Sequence, residues 1–249
     1  MIELKELSKD YGKTKALDHL NLTIKEGKIF GFLGHNGAGK STTIKSLVSI
    51  IEPTDGEIII DHQKLAEHRL QIKEKIGYVP DTPDLFLQLT AAEYWDLMAA
   101  AFSLGKAQKE TRLEKLTELF EMIDHQNETI GSFSHGMRKK TIVIGALLPD
   151  PEIWILDEPT QGLDPQAAYD LKQMMRTHAD AGKTVIFSTH DLATAQQLCD
   201  ELAILKKGEL IYNGTVDDLL AQSPNESLES IYLKMTGKAS HTEVQGDDD

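Results

Sequence analysis

The stretch Gly34-His35-Asn36-Gly37-Ala38-Gly39-Lys40-Ser41-Thr42 matches the pattern G-x-x-x-x-G-K-[ST] without a mismatch, and it restricts the fold more than any other part of the chain. Gly34, Gly37 and Gly39 let the backbone curl into a nest of N–H donors tight enough to hold phosphate oxygens. Lys40 brings a compact cation to the outer phosphates, and the Ser41 hydroxyl is placed to ligate Mg2+. In front of the loop, Ile29-Phe30-Gly31-Phe32-Leu33 reads as a buried parallel strand. Behind it, Ile44, Leu47, Val48 and Ile51 fall at the i, i+3, i+4, i+7 spacing of one helical face. Strand, loop and helix in this order put the phosphates at the positive end of the helix, so the expectation is an ATP or GTP site.

A second acidic element supports the first. Ile153-Trp154-Ile155-Leu156 has no alternation, as suits a strand buried on both faces, and Asp157 and Glu158 emerge at its C-terminal edge, where open α/β sheets bind ligands. Beside a phosphate loop, Asp157 is expected to hold Mg2+ through water and Glu158 to orient and deprotonate the attacking water. The alternative is an acidic strand-to-turn junction before Pro159. Thr184 to Ser188 reads as another strand ending in Thr189-His190, which makes His190 a candidate contact for the terminal phosphate. Tyr11 lies in the turn Lys9-Asp10-Tyr11-Gly12, where its ring either stacks on a nucleobase or packs on the sheet edge; the residues alone leave both open. Ser134-His135-Gly136 precedes a helix from Met137 to Leu148, and Ser134 as its N-cap leaves a helix start able to hold an anion.

From Ile2 to Asp61 the pattern is mostly β, with Leu20, Leu22 and Ile24 alternating against polar neighbours and Gly56 to Asp61 following a turn. Ile76 to Pro80 is a short strand, Asp81 to Leu89 a loop, and Thr90-Ala91-Ala92-Glu93 a capping box that opens a helical region. There Trp95, Met98, Ala99 and Phe102 share one face, and Leu113, Leu116, Leu119, Phe120 and Ile123 another. Leu85, Phe86 and Leu87 with Trp95 either form a groove for a partner or pack the helices on the core. Glu201 to Leu205 and Glu209 to Tyr212 read as a closing hairpin around Lys207-Gly208, and Thr215 caps a further helix. The expected fold is α/β: a P-loop NTPase core with a mixed sheet, flanking helices and an N-terminal antiparallel β part, plus an inserted α-helical subdomain. The core takes residues 1–88 and 152–216, the insert about 89–151 and C-terminal helices 217–237, all one domain; residues 238–249 form a polar acidic tail expected to be disordered.

Composition narrows the partners. A formal charge of -14 over 249 residues argues against nucleic acid, whose binding draws on Lys and Arg set against phosphates. No window approaches the roughly eighteen uninterrupted apolar residues of a membrane span. The start, Met1-Ile2-Glu3-Leu4-Lys5, lacks the basic and apolar stretches of a signal peptide, so the chain is expected in the cytoplasm unless a partner brings it to a membrane. A single cysteine, Cys199, excludes an internal disulfide and reads as a small core residue.

In order and spacing these motifs resemble the nucleotide-binding subunit of an ABC transporter over the chain to about Gly237. Gly34 to Thr42 is then the Walker A loop, Ile153 to Glu158 Walker B with its catalytic glutamate, Phe133 to Met137 the start of the signature, Gly162-Leu163-Asp164 the D-loop and His190 the switch histidine, with Tyr11 the aromatic that stacks on adenine. The resemblance implies a head-to-tail dimer, a homodimer or a heterodimer with a similar ATP-binding chain. Each ATP would lie between one chain's Walker loop and Ser134, Gly136 and Asp164 of the other. It also implies a membrane-spanning permease partner, with the chain peripheral on the inner face of the cell membrane. Asp81 stands where the family usually has glutamine; it can reach Mg2+ but cannot donate a hydrogen bond when ionised. His135 and Met137 replace a glycine and a glutamine of the usual signature. The runs Ser134 to Lys140 and Tyr78 to Pro83 look like the Ecs-type and bacitracin-export-type subgroup, which implies export. The competing expectations are a soluble ABC ATPase acting on DNA or ribosomes, which usually carries a coiled-coil insertion or two linked nucleotide domains, and a small-molecule kinase or GTPase, which lacks the serine-glycine helix start. This chain fits neither pattern.

Overall fold

Alternation in the first sixty residues builds one sheet, and unbroken apolar runs build a second. In the computed structural model, which describes residues 1–223 and 226–237, the chain opens with β1 (Ile2–Tyr11), β2 (Thr14–Ile24) and β3 (Ile29–Leu33). The phosphate loop leads into α1 (Lys40–Leu47), followed by β4 (Asp55–Ile60), β5 (Gln63–Lys64), α2 (Arg69–Lys73) and β6 (Ile76–Val79). A helical region holds α3 (Ala91–Ala101), α4 (Lys106–Leu119) and α5 (His135–Leu147). The chain then returns through β7 (Ile153–Leu156), α6 (Pro165–Asp180), β8 (Thr184–Thr189), α7 (Leu192–Leu198), β9 (Glu201–Lys206), β10 (Glu209–Gly214), α8 (Val216–Ala221) and α9 (Leu228–Thr236). The acidic tail expected over 238–249 lies outside the described residues.

Strands β2-β1-β4-β5 make an antiparallel sheet; β10-β9-β3-β8-β7-β6 make a mixed one, in which only β10 runs antiparallel to its neighbour. All residues of β3, β7 and β8 are buried, as parallel strands covered on both faces must be. Between the sheets, Ile44 and Leu47 of α1 pack with Leu17 and Leu20 of β2 and with Phe30, Phe32 and Ile186. The opposite face of the mixed sheet carries Trp154, Leu156, Val185 and Phe187 against Trp95, Ile142, Val143 and Leu171 from the helices. A third cluster packs α7, α8 and α9 on Leu33, Leu202 and Ile204. Among the described residues no helix is long and apolar enough to cross a membrane.

Three expectations change. The helix after the phosphate loop stops at Leu47 instead of running through Ile51, because Val48 caps it, Ser49 turns to φ +57 and Ile50 is exposed. Leu119 and Ile123 are exposed as well, so α4 packs through Leu116 and through its capping residue Phe120. Trp95 is core and not groove: it has no exposed surface, and its indole N–H donates to the Thr141 carbonyl at 3.0 Å, joining α3 to α5. Leu85 and Phe86 do remain exposed, with Phe86 at φ +54 and its ring 5.3 Å from that of Tyr94. The capping box forms as expected, Thr90 accepting from the Glu93 amide and Glu93 accepting from the Thr90 amide. Cys199 is half-buried in the core, its sulfur filling the space left by the missing side chain of Gly31, and burial pushes the thiol pKa up.

His178 of α6 meets Trp154 edge-on, and its Nε2 is buried without a hydrogen-bond partner among the described residues. Burial first, and the Lys183 charge second, hold its pKa down to about 4. The unfolded chain takes up this proton near pH 6.5 and the folded chain only near 4. Stability is therefore full above about pH 6.5 and falls as the pH drops through that window. Urea denaturation between pH 7 and 4 should give a falling midpoint that is flatter in His178→Phe; equal slopes in both proteins would contradict the burial of a neutral ring.

Candidate functional site

The phosphate loop is shaped by glycines, two of them with positive φ and two of them with no room for a side chain. Gly37 and Gly39 sit at φ +80 and +112, and a Cβ on Gly39 would lie 2.9 Å from the Ala16 carbonyl oxygen. At Gly34 it would lie 2.7 Å from the Leu205 carbonyl oxygen. Inside this turn the Lys40 ammonium is nearly fully buried; it donates to the carbonyls of Gly34 at 2.6 Å and His35 at 3.4 Å and lies 3.5 Å from Glu158 Oε1.

Strands β7 and β8 deliver the acidic side. Asp157 has no exposed surface. Its Oδ1 accepts from Ser41 Oγ at 3.1 Å and Ser188 Oγ at 2.5 Å, while its Oδ2 is buried without a partner among the described residues. The Glu158 amide donates to Ser188 Oγ at 3.0 Å, and Glu158 itself adopts φ +44, a strained conformation for a residue with a side chain. That turn aims its carboxylate back over the loop, with Oε2 3.0 Å from His190 Nδ1.

These groups surround a cavity of about 370 Å³ lined by His35, Asn36, Gly37, Ala38, Gly39, Lys40, Ser41 and Thr42 together with Asp81, Glu158, Gln161 and His190. Tyr11, Ser134, Gly136 and Asp164 do not line it. Tyr11 is half-exposed at the end of β1 beneath the Lys9 ammonium, 5.4 Å from its ring centre. Ser134 caps α5 by accepting from the Met137 amide, and Asp164 caps α6 by accepting from the Ala167 amide at 2.8 Å. That amide, and then Lys140 at 3.0 Å, hold the Asp164 carboxyl below the usual carboxylate range.

Three contributors escaped the sequence reading. Gln161 looks like an ordinary turn residue, and Ser188 like one more position in a buried strand. Lys139 reads as a solvated position on a helix, yet it is fully buried and donates to the carbonyls of Pro80 at 2.9 Å, Asp81 at 3.0 Å and Asp157 at 3.4 Å. Burial lowers its pKa to about 8, against the pull of Asp81, Asp157 and Glu158. The sequence signal for Lys139 is faint: it follows His135, the first residue of α5, by four positions, which puts it one turn inside the helix.

A glycine loop at a helix start, faced by a buried carboxylate at the end of a parallel strand one place removed in the same sheet, defines a P-loop nucleotide-binding protein. The family model described as ABC transporter matches residues 17–161, more than half of the chain, and the chain belongs to that family. It is 35% identical over 238 residues to the ABC-type transporter ATP-binding protein EcsA of Bacillus subtilis (strain 168), covering 95% of this chain and 96% of the relative. To the bacitracin transport ATP-binding protein BcrA of Bacillus licheniformis it is 37% identical over 223 residues, 88% of this chain and 71% of the relative. A solved dimeric ATP-binding cassette in a post-hydrolysis state, bound to ADP and Pi, superposes with a TM-score of 0.78 at 27% identity over 87% of this chain and 99% of its own. The chain is thus an ATP-binding subunit of an ABC transporter and an ATPase, and the two relatives match the subgroup that its signature suggested.

Ser188→Ala removes a donor to Asp157 Oδ1 and an acceptor for the Glu158 amide together, both at a buried position. The expected loss is about 1–3 kcal/mol of stability, read by urea denaturation, with slower ATP turnover in the folded protein. An unchanged midpoint would mean that Ser188 does not support the carboxylate.

Proposed function

We propose that the chain powers the movement of a substrate, in the export direction, through a separate membrane-spanning permease subunit. In this reading it works as a head-to-tail dimer, with itself or with a similar ATP-binding chain, in the cytoplasm at the inner face of the cell membrane. The observation that carries the reading is a division of labour: Lys40, Glu158 and His190 gather on one cavity, while Ser134, Gly136 and Asp164 stay off it within the same chain. A second chain facing the first would bring its own Ser134, Gly136 and Asp164 to the exposed side of the nucleotide. A related cassette is solved as a dimer bound to ADP and Pi, which supports a two-chain reading. The export direction draws on the signature and on the likeness to the subgroup, and the formal charge of -14 speaks against a nucleic-acid partner.

The residues have separable tasks. The loop amides and Lys40 hold the β- and γ-phosphates, and Tyr11 stacks on the adenine. Glu158 orients the attacking water and takes its proton, while His190, bonded to Glu158, faces the terminal phosphate. The oxygen donors of Ser41 and Asp157, with Asp81 at the cavity wall, suit Mg2+, and Asp157 Oδ2, without a partner among the described residues, leaves an acceptor for a metal-bound water. Among the described residues no cluster of three His, Cys, Asp or Glu side chains could hold a metal alone, as fits an ion held largely by phosphates and water. When bound, Mg2+ neutralises the charge that develops on the phosphates. We assign core and helical insert as residues 1–88 with 152–216 and about 89–151, followed by C-terminal helices over 217–237, and propose that the insert passes the motion to the permease.

Glu158→Gln keeps the side chain's shape but not its basicity, so hydrolysis should slow by about 10²–10⁴ while ATP still binds. On adding Mg-ATP, this variant should elute from size exclusion as a stable dimer; hydrolysis at the normal rate would remove Glu158 as the base. Sharing of the site is tested separately. Ser134→Arg and Lys40→Ala chains, each inactive alone, should regain activity when mixed, because one of the two sites in a mixed dimer is intact. No activity at any mixing ratio, with mixed dimers demonstrated, would refute a site built from two chains.

A further inference from the structure

Lys139 is a lysine with no exposed surface in a protein whose other charges mostly face water. An ammonium group has three hydrogens to donate, and here three carbonyl oxygens take them: Pro80, Asp81 and Asp157. The acceptors are not scattered. Pro80 and Asp81 follow the last residue of β6, and Asp157 follows the last residue of β7, its neighbour in the sheet. Asp81 lines the cavity and Asp157 bonds Ser41 beneath it. Lys139 itself stands one turn into α5, the helix that Ser134 caps and that contains Gly136. A single buried group therefore joins three segments, and α5 cannot move against the sheet without breaking these bonds or dragging both acidic positions with it. Burying an ammonium costs more than burying an alkyl chain of the same length, so filling space does not explain a lysine here.

We propose that Lys139 is a positioning residue for ATP hydrolysis, holding the main chain at Asp81 and Asp157 and so tying the acidic wall of the nucleotide cavity to the helix that carries Ser134 and Gly136. The proposal rests on the reading of that cavity given above. It separates binding from chemistry, because the hydrogen bonds of Lys139 go to the main chain at the acidic positions and those of Lys40 to the phosphate loop, so the placement of both acidic residues depends on Lys139.

The test compares Lys139→Met, which keeps the alkyl chain without donors, with Lys139→Gln, which is shorter but restores two N–H groups. Fold is followed by circular dichroism, ATP affinity by fluorescent nucleotide titration, and kcat and KM by phosphate release. The folded Met variant should bind ATP within about twofold of wild type and lose on the order of 10–100-fold in kcat, the scale of a misplaced catalytic group, with the Gln variant in between. Wild-type kcat in the folded Met variant would overturn the proposal. So would equal losses of ATP affinity and kcat, or failure of both variants to fold, since either outcome assigns the ammonium to stability alone. Asp157→Asn and Lys40→Ala, measured in parallel, separate the two layers of inference. Normal turnover in those variants would sink the reading of the cavity itself, whereas their inactivity beside a fully active Lys139→Met would sink only the positioning role.

Discussion

A carboxyl group with no solvent exposure has to find partners inside the protein, and the way Asp157 finds them organises this molecule. Its Oδ1 takes hydrogens from Ser41 of α1 and Ser188 of β8, its amide donates to the Val79 carbonyl at the end of β6, and its carbonyl accepts from Lys139 of α5. Four elements distant in sequence meet at one residue. They can do so because β6, β7 and β8 are parallel neighbours whose C-terminal ends fall along one edge. The apolar runs that make these strands buried on both faces are therefore what bring the acidic pair to the phosphate loop.

The loop is braced from the other side by the outer parts of both sheets. The Gly208 amide, in the turn between β9 and β10, donates to the Ala38 carbonyl at 2.9 Å, and the Asp18 amide of β2 donates to the Gly208 carbonyl at 3.0 Å. Gly208 lies against Ala16 so closely that a Cβ there would be 2.8 Å from its carbonyl oxygen. The N-terminal antiparallel sheet and the closing hairpin thus clamp the same loop. That explains why a chain of ordinary polarity commits its first sixty residues and its last strand pair to one site.

Sequence patterns reach as far as local rules reach. The G-x-x-x-x-G-K-S loop, the unbroken run before Asp157, the capping box at Thr90 and the helix start at Ser134 each declare themselves within a few residues, and each appears in the structure. What stayed hidden depends on neighbours across the fold. Lys139 sits between Arg138 and Lys140, and nothing local separates the buried cation of these three from its partly exposed neighbours. Ser188 matters only because β8 pairs with β7, and the positive φ of Glu158 has no residue-type signal, since a glycine there would have no carboxylate to aim. Helical periodicity extended the helix after the phosphate loop to Ile51, past its actual end at Leu47, and gave Leu119 and Ile123 a buried face that the helix crossings deny them. Trp95 carried two readings, groove and core, and only the approach of α5 decides for the core.

The departures from the usual signature have a packing logic of their own. His135 occupies the position of a family glycine, and its ring covers Gly162, where any side chain would run into the imidazole. Gly162 adopts φ +80, which suits glycine, and Gly136 has no room for a Cβ because the Gly162 carbonyl oxygen would be 2.8 Å away. The start of α5 and the loop before α6 are thus in direct contact, and the Lys140 to Asp164 ion pair holds them a turn further on. Consecutive helical residues point about 100° apart. Lys139 therefore reaches inward to the acidic edge of its own cavity while Lys140 reaches sideways to Asp164, one of the residues proposed to meet the nucleotide of a second chain. A shift of α5 acts on both at once, so in a two-chain site the neighbouring lysines would give the chain's own chemistry and its contact with the partner a common mechanical origin.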